Sequence, residues 1–267
     1  MSTQKELNTR ILGVSAMVED CYRAQTRAFS PVEYPFIAGL AKKNHIRSAL
    51  DIGTGEGTFL AGLAPVTPDV NYTAIDADSA LIARAQEKYR IPNVTFRNAR
   101  FDPSFPEDKY DLIMARFAVE HIPDVRQFIS EAFRRLSPGG TLLITEYYID
   151  DLHSRNEIWR RFRQKEIEFY HKFGSHPRIS TELPRYMRDT GFTGISSGFR
   201  QISPSTAGAG AFYSLVISYA NLYHSIEPGI WTEELRAEII GYCEKALDEL
   251  PAWEDVLLIS QTAGRKL

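Results

Sequence analysis

Two acids and three glycines carry the first chemical signal in this chain. Asp51 closes the short apolar run "SALDI", and Gly53, Gly55 and Gly57 follow at alternate positions in "GTGEGTF". Glycines at that spacing free the backbone for a tight turn and let a ligand lie close to the main chain. An acid in the same turn disfavours a phosphate, because two negative groups would meet without an intervening cation. The turn suits a ligand that is positive or rich in hydroxyls near Asp51. Asp76, in "YTAIDAD", stands about 25 residues further on, where an acid can accept hydrogen bonds from both hydroxyls of a ribose. His121 in "VEHIPD" and Glu146 in "LLITEYYIDD" fall where a base could take a proton from a reacting group. The imidazole could equally brace the following helix, and the carboxylate could equally bond to backbone or ligand.

Strand ends are needed to hold such groups together, and the pattern supplies them. "SALDI", "NYTAID", "NVTFRNA", "YDLIMARFA" and "GGTLLITEYY" read as strands. Between them lie the helical stretches "GTFLAGLAPV", "DSALIARAQEKY" and "VRQFISEAFRRLS", the last with Val125, Phe128, Ile129, Ala132 and Leu136 on one face. Strands alternating with helices of this length predict a mostly parallel, doubly wound α/β sheet covered on both sides. Ahead of it, residues 1–46 read as a helical lid with a break at Ser30-Pro31 and a second short helix, "VEYPFIAGLAKKN". Residues 47–150 form the core. Residues 151–254 read as helical cap insertions that include a sixth strand near "FTGISSGFRQI", and 255–267 as a last strand completing the sheet.

Composition removes several functional classes. The chain has 267 residues, 43% hydrophobic and 24% charged, with a formal net charge of −3. That balance lacks the basic stripe of a nucleic-acid binder. No apolar run approaches the ~18 residues of a membrane span, and the first residues lack the apolar core of a signal peptide. Cys21 and Cys243 are too few for a disulfide framework or a zinc site. The reading is a cytoplasmic protein, monomer or homodimer, with no nucleic-acid or membrane partner. No metal is expected either. Asp150 and Asp151 beside Glu146 find no oxygen-rich partner to complete six ligands, and His171 and His176 lack a third.

The glycine turn discriminates between cofactors. A dinucleotide turn, G-x-G-x-x-G/A, would need a small residue at Thr58, and a P-loop would need Lys-Ser/Thr after the glycines; neither is present. "LDIGTGEG" with Asp51 instead resembles motif I of class I S-adenosylmethionine-dependent methyltransferases, of the bacterial small-molecule type. "AIDAD", "FRNARF", "YDLIMARFAVEHIPD" and "AFRRLSPGGTLLITE" match that family's later segments in order. The resemblance covers residues 47 to about 150 closely and the final strand loosely. It implies a Rossmann-like seven-stranded fold and S-adenosyl-L-methionine as cofactor. It places Asp76 at the ribose, the adjoining Ala77 against the cofactor, and Asn98 and Ala99 at the adenine, with Asn98 standing where family proteins often have Asp.

The cofactor so implied is a sulfonium with an amino-acid tail. Asp51 would face the tail's ammonium, Gly53 and Gly55 would admit ribose and methionine chain, and Phe117 could shield the sulfonium by a cation–π contact. The tail's carboxylate would meet Arg27 or Tyr22 on the N-terminal helix, or Arg116, which a surface ion pair would otherwise explain. A small organic acceptor would lie among Tyr22, Tyr147 and Phe212, methylated at O, N or C with His121 or Glu146 as base. Two rivals keep the cofactor: a cyclisation or rearrangement assisted by the sulfonium, and a binding protein without catalysis. An NAD-dependent reductase is disfavoured by Thr58.

Overall fold

The computed structural model describes residues 14–149, 156–249 and 255–267. They gather into two compact units: a helical one drawn from the chain up to Val32, Tyr148–Pro177 and Gln201–Leu258, and a sheet unit made of Glu33–Tyr147, Arg178–Arg200 and Ile259–Leu267. This division departs from the sequence reading at two points. The N-terminal helix is shared between the units instead of forming its own, and most of the sixth strand belongs with the sheet.

That helix, α1 (Ser15–Lys43), is continuous, which corrects the break expected at Ser30-Pro31. Pro31 removes one amide, but Pro31 and Pro35 both sit on the exposed face, where water can satisfy the carbonyls they leave unbonded. The opposite face is locked by fully buried Ala28 and Phe29 before the prolines and by Glu33, Ile37 and Ala41 after them. Side-chain burial outweighs the loss of backbone bonds.

In the sheet unit the strands are β1 (Ser48–Ile52), β2 (Asn71–Asp76), β3 (Val94–Asn98), β4 (Tyr110–Arg116), β5 (Leu136–Tyr148), β6 (Thr193–Ile202) and β7 (Leu257–Arg265), in spatial order β3-β2-β1-β4-β5-β7-β6. The four pairs among β1 to β5 are parallel. β7 runs the other way. Lys266 at its end exchanges backbone bonds of 2.7 and 2.9 Å with Gly139 and Gly140 near the start of β5. Thr193 at the start of β6 reaches the Arg265 carbonyl at 3.3 Å, while Ser197 meets Thr262 at 2.8 Å. The sheet is therefore mixed, a finer result than the mostly parallel sheet expected from alternation.

Alternation along the strands sorts the core into two layers. Leu50, Ile113, Ala115, Leu142 and Ile144 face α4 (Val125–Arg135) and α6 (Leu183–Thr190). Ala49, Leu112, Met114 and Leu143 face α2 (Thr58–Leu63), α3 (Ser79–Lys88) and the second half of α1. The chain leaves β1 toward β2 and β3, then returns to β4 on the other side of β1. Beyond their first contact the loops after β1 and β4 therefore lead away in opposite directions, and ligands of open α/β sheets bind in the crevice at these carboxyl ends.

The helical unit comprises α5 (Glu157–Lys172), α7 (Pro204–Ala207), α8 (Ala209–Ile226) and α9 (Glu233–Asp248) with the first half of α1. Its centre is aromatic. Trp159 stacks near Phe212 at 5.7 Å, Phe162 meets Trp231 at 5.6 Å, and Tyr223 lies 4.6 Å from Phe169.

One buried cation fastens the connection that leads into β4. Arg135, fully buried at the end of α4, bonds the carbonyls of Asp102, Phe105 and Pro106 and the carboxylate of Glu131. Arg135→Leu would leave three carbonyls unanswered and would leave Glu131 to Arg134, 3.2 Å away and half exposed. We expect a loss of about 3 kcal/mol, read as a lower midpoint in urea unfolding.

Candidate functional site

The turn after β1 is built on left-handed backbone. Gly53, Gly55 and Gly57 have φ of +76°, +57° and +75°. At two of them space as well as backbone excludes a side chain. A Cβ on Gly53 would come within 2.8 Å of the Ala118 Cβ, and one on Gly57 within 2.5 Å of the Phe96 ring. The turn is tied to β2 by bonds from the Gly53 and Thr54 amides to the Ile75 carbonyl, at 2.9 and 3.0 Å.

Asp76 ends β2 beside this turn. One carboxylate oxygen accepts from the Gly55 amide at 3.0 Å and the other from the Asp78 amide at 2.9 Å. An ionised carboxylate offers about four acceptor positions, so capacity for a diol remains. Asn98 pairs with Asp76 across β2 and β3. Its side-chain amide and the Ala99 amide both donate to the Asp76 carbonyl at 3.0 Å. The Asn98 carbonyl oxygen is the atom left to accept from a base edge. Ala77 is exposed next to it. The structure thus brings Asp76, Ala77, Asn98 and Ala99 to one place.

Across the crevice stands Arg116 at the end of β4, with 12% of its side chain exposed. Its Nε donates to both oxygens of Glu33, at 2.8 and 3.0 Å, and Glu33 is fully buried. The guanidinium carbon lies 4.4 Å from the ring centres of both Phe59 and Phe117. Asp51, buried at the end of β1, feels this cation. Burial pushes its carboxyl up to about 6, against the pull of Thr54 and then Arg116, with Asp76 adding to the rise.

Glu33 and Phe59 were not foreseen. An acid in the apolar stretch "VEYPFIAGL" was the available signal for Glu33, but its partner lies 83 residues away.

Phe117 is one of two non-glycine residues with positive φ among the described residues, at +52°. Strand alternation would send its side chain to the layer of Ala115. The left-handed backbone redirects the ring onto Tyr147, 4.3 Å away and within 20° of parallel. The next two amides, of Ala118 and Val119, donate to one oxygen of Glu146 at 3.1 and 2.6 Å. Glu146 is fully buried, and that burial holds its carboxyl well above the usual range despite the backbone bonds. Bonding to backbone, one of the two readings of this residue, is what the geometry displays.

His121 closes a short helical turn, Val119–His121, with Nε2 3.4 Å from the buried Glu120 carboxylate. Loss of hydration pulls its pKa down to about 4, yet 38% of the side chain is exposed, which argues for a smaller displacement. Either way the ring is mostly neutral at pH 7 and able to accept a proton.

Arg27, Tyr22 and Phe212 fall in the helical unit. Arg27 is exposed and Tyr22 half-buried on α1. Phe212 is fully buried against Trp159 and Tyr213. Asp150 and Asp151 lie outside the described residues. His171 and His176 are exposed. Among the described residues no three His, Cys, Asp or Glu gather as a metal site, and no helix is long and apolar enough to cross a membrane.

Comparison with known proteins places residues 23–197 in the methyltransferase domain family. An uncharacterized methyltransferase of Mycobacterium tuberculosis is 32% identical over 111 residues, 41% of this chain and 54% of that protein. The chain therefore spans about half the length of the first such relatives. A protein of Mycolicibacterium smegmatis named "Probable S-adenosylmethionine-dependent methyltransferase" is 25% identical over 217 residues, 78% of this chain and 76% of its own. Among solved structures, the YcgJ protein of Bacillus subtilis superposes with a TM-score of 0.53 at 19% identity, covering 87% of this chain and 97% of its own. That likeness is one of fold.

The electrostatics of Asp51 lead to a stability test. Its ordinary pKa of 3.8 applies in the unfolded chain and about 6 in the folded one. As pH rises from about 4 to 6 the unfolded chain gives up this proton first, so the group lowers stability through that window and the deficit persists above it. Asp51→Asn should exceed the wild type by about 2–3 kcal/mol near pH 7.5, with the gap closing toward pH 4 in urea melts. A constant gap at both pH values would refute the buried charge.

Proposed function

We propose that this chain, which belongs to the methyltransferase domain family, is an S-adenosyl-L-methionine-dependent methyltransferase acting on O, N or C of a small organic molecule. One observation carries the reading: β1 and β2 deliver Asp51 and Asp76 to either side of a turn of three left-handed glycines, two of which have no room for a Cβ. That is a cradle shaped for a nucleoside with a cationic tail.

The residues present fit the cofactor. Asp76 would hold the ribose diol while its backbone bonds keep it oriented, and Ala77, Asn98 and Ala99 would meet the adenine, Asn98 through its carbonyl oxygen. Asp51 and Arg116 have opposite charge and act on each other. Together they suit a zwitterion, Asp51 for its ammonium and Arg116 for its carboxylate. The Phe117 ring, stacked on Tyr147, would lie near the sulfonium.

When bound, the cofactor supplies an electrophilic methyl group for in-line displacement, and most of the acceleration comes from holding the acceptor in line with it. Where the acceptor carries an O–H or N–H, His121 is the base we retain, since its ring is neutral and partly open to solvent. Tyr147 would contact the acceptor. The near-neutral charge of the chain favours a small molecule over nucleic acid, and we read the protein as a cytoplasmic monomer or homodimer.

Isothermal calorimetry with S-adenosylhomocysteine tests the reading directly; absence of binding at millimolar concentration would end it. Asp76→Ala should weaken binding more than tenfold, about 1.4 kcal/mol, and an unchanged affinity would move the ribose elsewhere. Release of one S-adenosylhomocysteine per turnover separates methyl transfer from a cyclisation that leaves the cofactor intact.

A further inference from the structure

Glu146 reaches across the end of the sheet to the turn after β4. Its position is unusual for a base. The side chain follows Leu142 and Ile144 on the same face of β5, toward the apolar layer against α4. One oxygen accepts two consecutive amides, Ala118 at 3.1 Å and Val119 at 2.6 Å. Those amides follow directly on Phe117, whose left-handed backbone (φ +52°) is strained in a non-glycine residue and needs surrounding contacts to persist.

Two other contacts define what the turn does. The Phe117 amide donates to the Thr145 carbonyl at 2.8 Å, from the residue just before Glu146. The Ala118 Cβ fills the space where Gly53 lacks one. The turn after β4 thus rests on the turn after β1, and Glu146 holds the residues that make that contact.

We propose that Glu146 is a positioning residue. Its carboxyl oxygen binds the Ala118 and Val119 amides, keeps Phe117 left-handed with its ring on Tyr147, and seats Ala118 against Gly53, so that the crevice keeps its width. This rests on the cofactor reading above for its ligand, and its own geometry can be read without any ligand. The essential atom is a hydrogen-bond acceptor, not a titrating base. Burial favours the neutral carboxyl, and a glutamine is close to that form in shape and charge, so Glu146→Gln should preserve the turn.

The experiment compares wild type, Glu146→Gln, Glu146→Ala and a core control, Ile113→Val, for S-adenosylhomocysteine affinity, melting temperature and amide hydrogen exchange. Expected are an affinity within about threefold of wild type for the glutamine variant and a loss of about tenfold or more for the alanine variant. The control should melt lower and bind unchanged, so a loss of affinity in the alanine variant is not explained by lost stability alone. Alanine binding as tightly as wild type, or glutamine failing as badly as alanine, would overturn the proposal. Should the alanine variant not fold, exchange at the Ala118 and Val119 amides decides: slow in wild type and in Glu146→Gln supports it, fast in either refutes it. That readout also stands if wild type does not bind S-adenosylhomocysteine, a result that would count against the cofactor and not against the turn.

Discussion

A carboxylate inside a protein costs several kcal/mol unless a cation or hydrogen-bond donors offset it, and the sheet unit carries Glu33, Asp51, Glu56, Glu120 and Glu146 at 4% exposure or less. Much of the architecture around the crevice is compensation for these charges. Glu33 holds the Arg116 guanidinium, Glu56 the Arg84 side chain at 3.1 Å, and Glu146 two backbone amides. Asp51 is served by less: the pull of Thr54 and the more distant field of Arg116, with Asp76 acting against it. An acid kept short of positive charge in a crevice is suited to a cation that arrives from outside. The same shortage raises its pKa.

Parallel strands bring these acids together because the chain changes direction beside β1. Turns after β1 and β4 come from opposite sides of that switch and meet where Gly53 lacks a Cβ and Ala118 supplies one. Both turns need left-handed backbone, three glycines in the first and Phe117 in the second. Glycine takes that conformation at no steric cost, whereas Phe117 needs support from Glu146, Thr145 and Tyr147. Support of that kind is what makes the strained residue's ring direction reproducible.

The helical unit answers a different demand. Its aromatic side chains, from Trp159 and Phe162 on α5 to Phe212, Tyr219 and Tyr223 on α8, pack mainly on one another. Its buried charges are matched internally, with Arg163 on Glu166 and Tyr223 donating to the same carboxylate at 3.3 Å. An abundance of aromatics in the second half of the chain is thus first a property of a core that has few aliphatic layers to build on.

Local spacing was enough to identify the strand and helix order, the glycine turn and the acids at the ends of β1 and β2, and the motifs there carried the resemblance to the family. Each of these is written in a few adjacent residues, because alternation, left-handed turns and strand ends are short-range features. Tertiary structure alone decided the rest. Antiparallel β7 depends on which end of β5 it meets, and alternation carries no direction. The unbroken α1 depends on both faces of a helix at once, with prolines turned to water and Phe29 and Glu33 turned inward. The pairing of Glu33 with Arg116 and of Glu146 with the Ala118 and Val119 amides joins residues 83 and 27 or 28 positions apart. No periodicity links them. They become neighbours only when the sheet forms, and burial then turns ordinary acids into the charges around which the crevice is arranged.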